Sequence, residues 1–208
     1  MKRILAFTAL LAWCGVLLAL RASRAHNTTY FFLVWNLFLA AVPFAAALLF
    51  ERAKGLITGA ITFVVWLVFL PNAPYILTDF IHLRPRPPVP LWFDVLLLLS
   101  AAGTGLLLGY GSVMIVQRVI ERRRGTRTGW LVATVALFLS AFGIYLGRFV
   151  RFNSWEVVTD PMPLFADISY RLLNPAQHPR TFAVTALYGF ALLLGYVALH
   201  VVSEDRAG

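Results

Sequence analysis

The chain has 208 residues, of which 60% are hydrophobic and 13% are charged, and its formal net charge is +9. Because a soluble domain carries about 25% charged residues, this composition excludes an ordinary soluble fold and indicates a polytopic membrane protein. The basic residues lie at the ends of apolar segments and no nucleic-acid motif is present, so we expect no nucleic acid as a partner.

Six apolar segments approach or exceed the length of about 20 residues that a membrane-spanning helix needs. They cover residues 4–20, 30–50, 56–70, 95–116, 130–147 and 182–202. The sequence therefore predicts an all-α transmembrane bundle of about six helices, forming a single integral membrane domain over residues 1–208 with the lipid bilayer as its partner.

The first segment has two interpretations. Lys2 and Arg3, the apolar run and the letters ASRA resemble a secretory signal peptide. The apolar run is long for a signal peptide, and Arg21 and Arg24 crowd the candidate cleavage site. We therefore favour a retained helix.

The third segment ends in two prolines. Pro71 and Pro74 lack the backbone donor of a helix and disfavour helical geometry in the residues before them. We expect a break at residues 70–73, partly satisfied by the amide of Asn72, and a new helix from Pro74 that covers residues 74–83.

That new helix carries one polar stripe. Tyr75, Thr78, Asp79 and His82 fall at i, i+3, i+4 and i+7, which places them on one face of an α-helix. Two interpretations stay open: a functional site, or the ordinary polar end of an interfacial helix. We take Asp79 and His82 as candidate catalytic residues, and Asn72 and Tyr75 as candidate substrate-binding residues.

Asp94 lies at the start of the fourth segment. A carboxylate there complements the helix dipole, or it joins Asp79 and His82 as a third acidic or basic group at the same membrane face. We include it among the candidate substrate-binding residues.

Glycine pairs in the fourth and fifth segments allow close helix packing. Gly105 with Gly109, and Gly143 with Gly147, are spaced four residues apart. They predict contacts within the chain or between copies, and so a possible homo-oligomer.

The stretch GRFVRFNSWE follows the fifth segment. Arg148 and Arg151 are either interfacial anchors or a pair that holds a phosphate or carboxylate. With Asn153 and Glu156 they complete the candidate substrate-binding residues. Residues 164–174 then predict a short interfacial helix.

The short loops on the side of both termini carry more lysine and arginine than those on the other side, which favours both termini inside. The loops after the third and fifth helices then face outward.

Several stretches resemble the bacterial membrane protein family called domain of unknown function 1361. They are NLFLAAVP, WLVFLPNAPYILTDFIHL, WFD and GRFVRFNSWEV. The resemblance implies a multi-pass protein of the bacterial cytoplasmic membrane with no established activity, so no catalytic residues can be transferred.

Three functions compete. The first is an outward-facing polar site that binds or processes a lipid-linked or small anionic substrate, held by Arg148 and Arg151, with Asp79 and His82 in acid–base work. The second is a small transporter or channel subunit, and the third is a structural or assembly partner without chemistry. No pattern names a cofactor or a metal site, and whether the protein is an enzyme stays open.

Overall fold

The computed structural model describes residues 2–25, 27–152 and 155–205, and these residues are almost entirely helical. The helices are α1 (Lys2–Ala25), α2 (Phe32–Arg52), α3 (Leu56–Phe69), α4 (Asn72–Tyr75), α5 (Leu91–Arg124), α6 (Thr126–Tyr145), α7 (Glu156–Thr159), α8 (Pro161–Leu173) and α9 (Pro179–Asp205). A 3-10 helix covers Ile76–His82 after α4, and a shorter one covers Pro175–Gln177 after α8. A π-helical turn, which is wider than an α-helix, covers Leu146–Val150 after α6.

Six stretches of the described chain are long and apolar enough to cross a membrane. They are Arg3–Ala25, Phe32–Arg52, Leu56–His82, Leu91–Arg124, Thr126–Val150 and Pro179–Ser203. The predicted all-α bundle of about six membrane helices is confirmed. Helix α3 alone, with 14 residues, is too short to cross a membrane. The third stretch reaches 27 residues because the helical segments after α3 continue it to His82.

The chain divides into two compact units, unit 1 over residues 1–112 and unit 2 over residues 113–208. Helix α5 supplies its first part to unit 1 and its last part to unit 2. The single domain over residues 1–208 stays a prediction.

The proline interruption of the third span is confirmed, although its form differs from the prediction. Leu70 and Pro71 keep right-handed helical torsions (φ −53°, ψ −39° and φ −57°, ψ −29°), and the α-helix resumes at Asn72 rather than Pro74. The hydrogen bonding changes instead, because Pro74 has no backbone N–H to donate to Leu70 O. Ala73 N donates to Leu70 O in its place at 3.1 Å, and this contact over three residues is of the 3-10 type.

That change leaves the carbonyl of Phe69 without its usual α-helical donor, the N–H of Ala73. The side-chain Nδ2 of Asn72 donates to Phe69 O at 3.0 Å. An unsatisfied carbonyl at membrane depth would be costly, so Asn72 stabilises the interruption, as the sequence predicts.

The interruption packs against the first glycine pair of α5. A Cβ atom on Gly105 would overlap the backbone carbonyl oxygen of Ala73, and one on Gly109 would lie 3.0 Å from the Ala73 Cβ. The predicted close packing through this pair is therefore found within the chain. Only a residue without a side chain lets α5 approach the backbone of α4 so closely.

The predicted fourth span, residues 95–116, is part of a longer helix. Helix α5 continues to Arg124, and Gly125 alone separates it from α6. Basic side chains in the last turn complement the helix dipole, and Gly125, with φ +90°, supplies the left-handed residue that ends the helix.

In unit 2, α6 and α9 pack side by side. A Cβ atom on Gly189 of α9 would lie 2.5 Å from the ring of Phe138 on α6. The short helix α8 lies against the end of α6, where Leu164 is buried with Tyr145 and Leu146. The opposite face of α8 exposes apolar side chains, as a helix at a membrane surface does.

Candidate functional site

A buried ion pair joins α1 to α5 at one end of unit 1. Arg21 Nε lies 2.7 Å from Asp94 Oδ1, and Arg21 Nη2 lies 3.4 Å from Asp94 Oδ2. The two side chains are only 1% and 0% exposed. A buried charge is retained only when it is paired and hydrogen-bonded, so this pair ties the end of α1 to the start of α5. We call this end, where α1 ends and α2 and α5 begin, the polar end of unit 1.

Tyr30 lies at the centre of the polar end. The guanidinium carbon of Arg21 is 4.5 Å from the Tyr30 ring centroid, and that of Arg86 is 5.3 Å away. Such positions over an aromatic face are attractive for a cation. The Tyr30 hydroxyl donates to His82 O at 3.4 Å, and Arg21 Nη1 donates to Asn27 Oδ1 at 2.9 Å.

Burial raises the pKa of the Tyr30 phenol, and the nearby Asp94 carboxylate raises it further, while Arg86 and Arg21 oppose the shift. Tyr30 is therefore neutral near pH 7 and acts as a hydrogen-bond donor. The Tyr30 hydroxyl and ring thus make structural contacts at this end.

Among the described residues, the polar end carries more positive than negative charge. Two guanidinium groups, Arg21 and Arg86, lie near the carboxylate of Asp94, and Arg24 adds an exposed positive charge about one turn beyond Arg21. An excess of this kind attracts anions.

A cavity of about 260 Å³ opens beside this excess charge. Its walls come from the end of α1, the proline-rich connection and the start of α5: Leu20, Arg21, Arg24, Pro88, Val89, Pro90, Trp92 and Phe93. The cavity thus combines arginines with apolar and aromatic walls.

Asp79 contacts α2 rather than lining this cavity. Its carboxylate is 2% exposed and its Oδ2 accepts a 2.8 Å hydrogen bond from Asn36 Nδ2. Asn36 thus joins α2 to the 3-10 helix through an interhelical hydrogen bond. His82 also faces α2, because its ring centroid lies 5.2 Å from that of Phe32.

The predicted four-residue stripe divides into two rows. Residues Ile76–His82 form a 3-10 helix, in which residues three apart eclipse each other, so Asp79 aligns with His82. Thr78 aligns with Tyr75, and its hydroxyl donates to Tyr75 O at 2.7 Å. The α-helical spacing that predicted one stripe does not apply within a 3-10 helix.

Three of the four predicted residues after the fifth span can be located in unit 2. Arg148 is half-buried in the wide turn after α6, Arg151 is exposed, and Glu156 begins α7 half-buried. Asn153 lies outside the described residues. Arg151 has a left-handed φ of 74°, so α-helical spacing does not place the two arginines on one face.

Arg171 is the centre of the polar contacts in unit 2. Its Nε and Nη2 donate to the two carboxylate oxygens of Asp167 at 2.7 and 2.9 Å. Its Nη1 donates to Tyr145 Oη at 3.1 Å and Thr181 Oγ1 at 3.2 Å, and lies 3.4 Å from His178 Nδ1. The hydrogen bond to Asp167 is the main reason that the pKa of Arg171 is raised. This network joins α8 to α6 and α9.

Sequence reasoning missed Arg21, Tyr30 and Arg86 as parts of a site. An arginine inside an apolar helix indicates a buried polar contact, because such a residue needs a partner. Asp94, an acid beside another apolar run, is a candidate for that partner. Within the described ranges, no group of three His, Cys, Asp or Glu residues is placed to hold a metal ion.

Comparison with known proteins gives a family and no relative of known activity. No curated protein and no solved structure matches the chain. The model of the family described as "Protein of unknown function (DUF1361)" matches residues 35–194, which is more than half of the chain. This stretch includes α4, the start of α5 with Asp94, and the segment from Arg148 to Glu156. The chain is therefore an integral membrane protein of the DUF1361 family.

Proposed function

We propose that this protein binds a lipid-linked or small anionic ligand at the outward surface of the bacterial cytoplasmic membrane. The observation that carries the proposal is the arginine-bearing cavity at the polar end of unit 1. The lysine and arginine bias of the short loops supports its outward orientation, with both termini in the cytoplasm.

The charge of the cavity favours an anion. Asp94 neutralises Arg21 at 2.7 Å, whereas Arg24 is exposed on the cavity wall and can reach a ligand there. A guanidinium group binds phosphate or carboxylate through two parallel hydrogen bonds. Arg24 is thus the first residue that we expect to contact the ligand, and the Arg21–Asp94 pair fixes the helix that presents it.

The remaining walls favour an amphiphile. Trp92 and Phe93 at the start of α5, with Val89 and Leu20, give the cavity aromatic and aliphatic surface. Ligand sites commonly combine such walls with a few polar groups, and tryptophan is enriched at the level of lipid headgroups. An anionic headgroup with apolar substituents fits this combination better than a free inorganic ion does.

The sequence-derived candidates keep a place in the proposal. Asp79 and His82, aligned on the 3-10 turn, face α2 rather than the cavity, so the acid–base work proposed for them requires a part of the ligand that extends beyond the cavity toward α2. Arg148, Arg151 and Glu156 of unit 2, together with Asn153, which is named from the sequence alone, stay candidates for anion binding, and the proposal for the cavity does not depend on them.

The variant Arg24→Gln tests whether the cavity binds an anion. Its matched control is Arg52→Gln, because Arg52 is also exposed but lies at the end of α2 away from the polar end of unit 1. Purified protein in detergent is titrated with phosphatidic acid or phosphatidylcholine, and bound lipid is measured by native mass spectrometry. We expect the unaltered protein and the control to prefer phosphatidic acid. Arg24→Gln should weaken its binding about tenfold or more, as the loss of a hydrogen bond to a charged group implies.

Equal binding of phosphatidic acid by Arg24→Gln and Arg52→Gln would overturn this assignment of the cavity. Equal binding of both lipids by the unaltered protein would overturn the preference for an anion.

Processing is tested separately from binding. If Asp79 and His82 act on the ligand, incubation with membrane lipid extract should change the mass of a bound species in the unaltered protein. Asp79→Asn and His82→Gln should retain lipid and abundance but abolish that mass change. An unchanged ligand mass in the unaltered protein would refute the processing role and leave binding alone.

A further inference from the structure

A second cavity, an apolar groove, lies between α1 and α2 in unit 1. It has a volume of about 280 Å³. Leu11, Gly15 and Leu18 form its α1 wall, Val34 and Phe38 are among the α2 residues on the other wall, and Leu97 of α5 also lines it. The residues that line it lie within three of the six stretches able to cross a membrane, so the groove belongs to the hydrocarbon depth of the molecule.

The groove and the arginine-bearing cavity adjoin the same ion pair. Along α1, Leu18 of the groove precedes Arg21 by three residues, about one helical turn. Along α5, Phe93 lines the cavity and Leu97, four residues later, lines the groove. The buried Arg21–Asp94 pair therefore stands between a site with positive charge and a site that is apolar.

We infer that the groove holds a hydrocarbon chain of the ligand whose anionic headgroup occupies the cavity, so that the ligand is a membrane lipid. This inference rests on the proposed function and narrows it, since a small soluble anion has no use for the groove. The α1 wall from Leu11 to Leu18 extends over about 10 Å, enough to take part of an acyl or isoprenoid chain. Because lipid tails are as apolar as leucine, shape and close packing select the chain.

Gly15 makes the groove testable. A Cβ atom on Gly15 would meet nothing within 4 Å, so a larger side chain there enters the groove without striking backbone. Gly103 of α5 also has open space where a Cβ atom would lie, and it does not line the groove. Gly15→Leu and Gly103→Leu are thus matched substitutions of one helical glycine each.

The experiment measures the binding of three probes to the full chain in detergent: long-chain phosphatidic acid, dihexanoyl phosphatidic acid and inorganic phosphate. We expect the unaltered protein and Gly103→Leu to hold the long-chain lipid most tightly. Gly15→Leu should lower long-chain affinity at least tenfold while leaving the short-chain lipid unchanged. Val34→Phe, which fills the groove from the α2 wall, gives the same test if Gly15→Leu fails to fold.

Three results would overturn the inference. Unchanged long-chain affinity in both groove variants means that no chain lies there, and equal affinity of the unaltered protein for long-chain and short-chain lipid means that only the headgroup is bound. Unchanged lipid affinity with an altered oligomeric state would assign the groove to a second copy. None of these removes the proposed function, which fails instead if the unaltered protein binds no phosphate-bearing probe at all.

Discussion

Each unit contains an arginine that is bound to a carboxylate at two oxygens, and the two pairs have different structural consequences. Arg21 and Asp94 are 73 residues apart, almost fully buried, and join two membrane helices. Arg171 and Asp167 are one turn apart on α8, with side chains 13% and 24% exposed. The first pair fixes tertiary structure, whereas the second orders a surface helix and directs its arginine toward α6 and α9.

The comparison teaches that the structural effect of an arginine–carboxylate pair depends less on the chemical groups than on whether the carboxylate lies on the same helix or on a distant one. A pair within one helix forms from local spacing and is screened where water reaches it. A pair between distant helices forms only when the helices have packed, and then burial makes its loss costly. The proposed ligand site adjoins the buried Arg21–Asp94 pair, which joins two distant helices.

The largest expected effect follows from Arg21→Ala. It leaves Asp94 as a buried charge without its partner, and we expect the free energy of unfolding to fall by about 3–5 kcal/mol. Unfolding in mixed micelles with increasing denaturing detergent measures this loss. The double variant Arg21→Met with Asp94→Leu should recover most of it, and a single variant as stable as the unaltered protein would break the comparison.

The second expected effect is that of Gly105→Ala. The added Cβ overlaps the carbonyl oxygen of Ala73, and overpacking of this kind costs about 1–3 kcal/mol. The same unfolding assay applies. Gly103→Ala is the control, because it meets open space and should be neutral or slightly stabilising. Equal stability of the two variants would mean that α5 does not approach the proline interruption this closely.

A smaller effect is expected for Asp167→Asn in unit 2. The pair with Arg171 is partly exposed and local, so its loss should cost about 0.2–1 kcal/mol and even less at high salt. Thermal unfolding at low and high salt measures the difference. A loss as large as that of Arg21→Ala would show that the two pairs are equivalent after all.

The smallest effect, and the one expected to be stabilising, is that of Arg151→Gly. Arg151 has a left-handed φ of 74°, a conformation that costs an ordinary residue about 1–2 kcal/mol and glycine much less. Glycine also loses about 0.5–1 kcal/mol more conformational freedom on folding, which offsets most of this gain. We expect thermal stability to rise slightly. An Arg151→Gly variant no more stable than the unaltered protein would show that this conformation carries no strain at Arg151.

Much of the fold follows from the sequence because membrane helices are defined by length and apolarity. The six spans and the interruption at the two prolines were predictable from local rules. The role of Asn72 follows in the same way, since a proline interruption leaves backbone groups that a nearby amide can satisfy.

The candidate site was less predictable because its contacts are nonlocal. The motif around Asp79 drew attention to the right end of unit 1, but nothing in the spacing of residues indicates that Asp94 pairs with Arg21. The division of the polar stripe also escaped prediction, since it depends on a 3-10 helix and the pattern was interpreted with α-helical periodicity.

The separation of Arg21 and Asp94 along the chain has a consequence for membrane insertion. Synthesis proceeds at about 5–20 residues per second, so Asp94 is made roughly 4–15 s after Arg21. During that interval α1 holds an arginine near its end without the carboxylate that later neutralises it, and its long side chain must extend toward the headgroups. The ion pair that fixes the end of α1 therefore forms only when α5 enters the membrane.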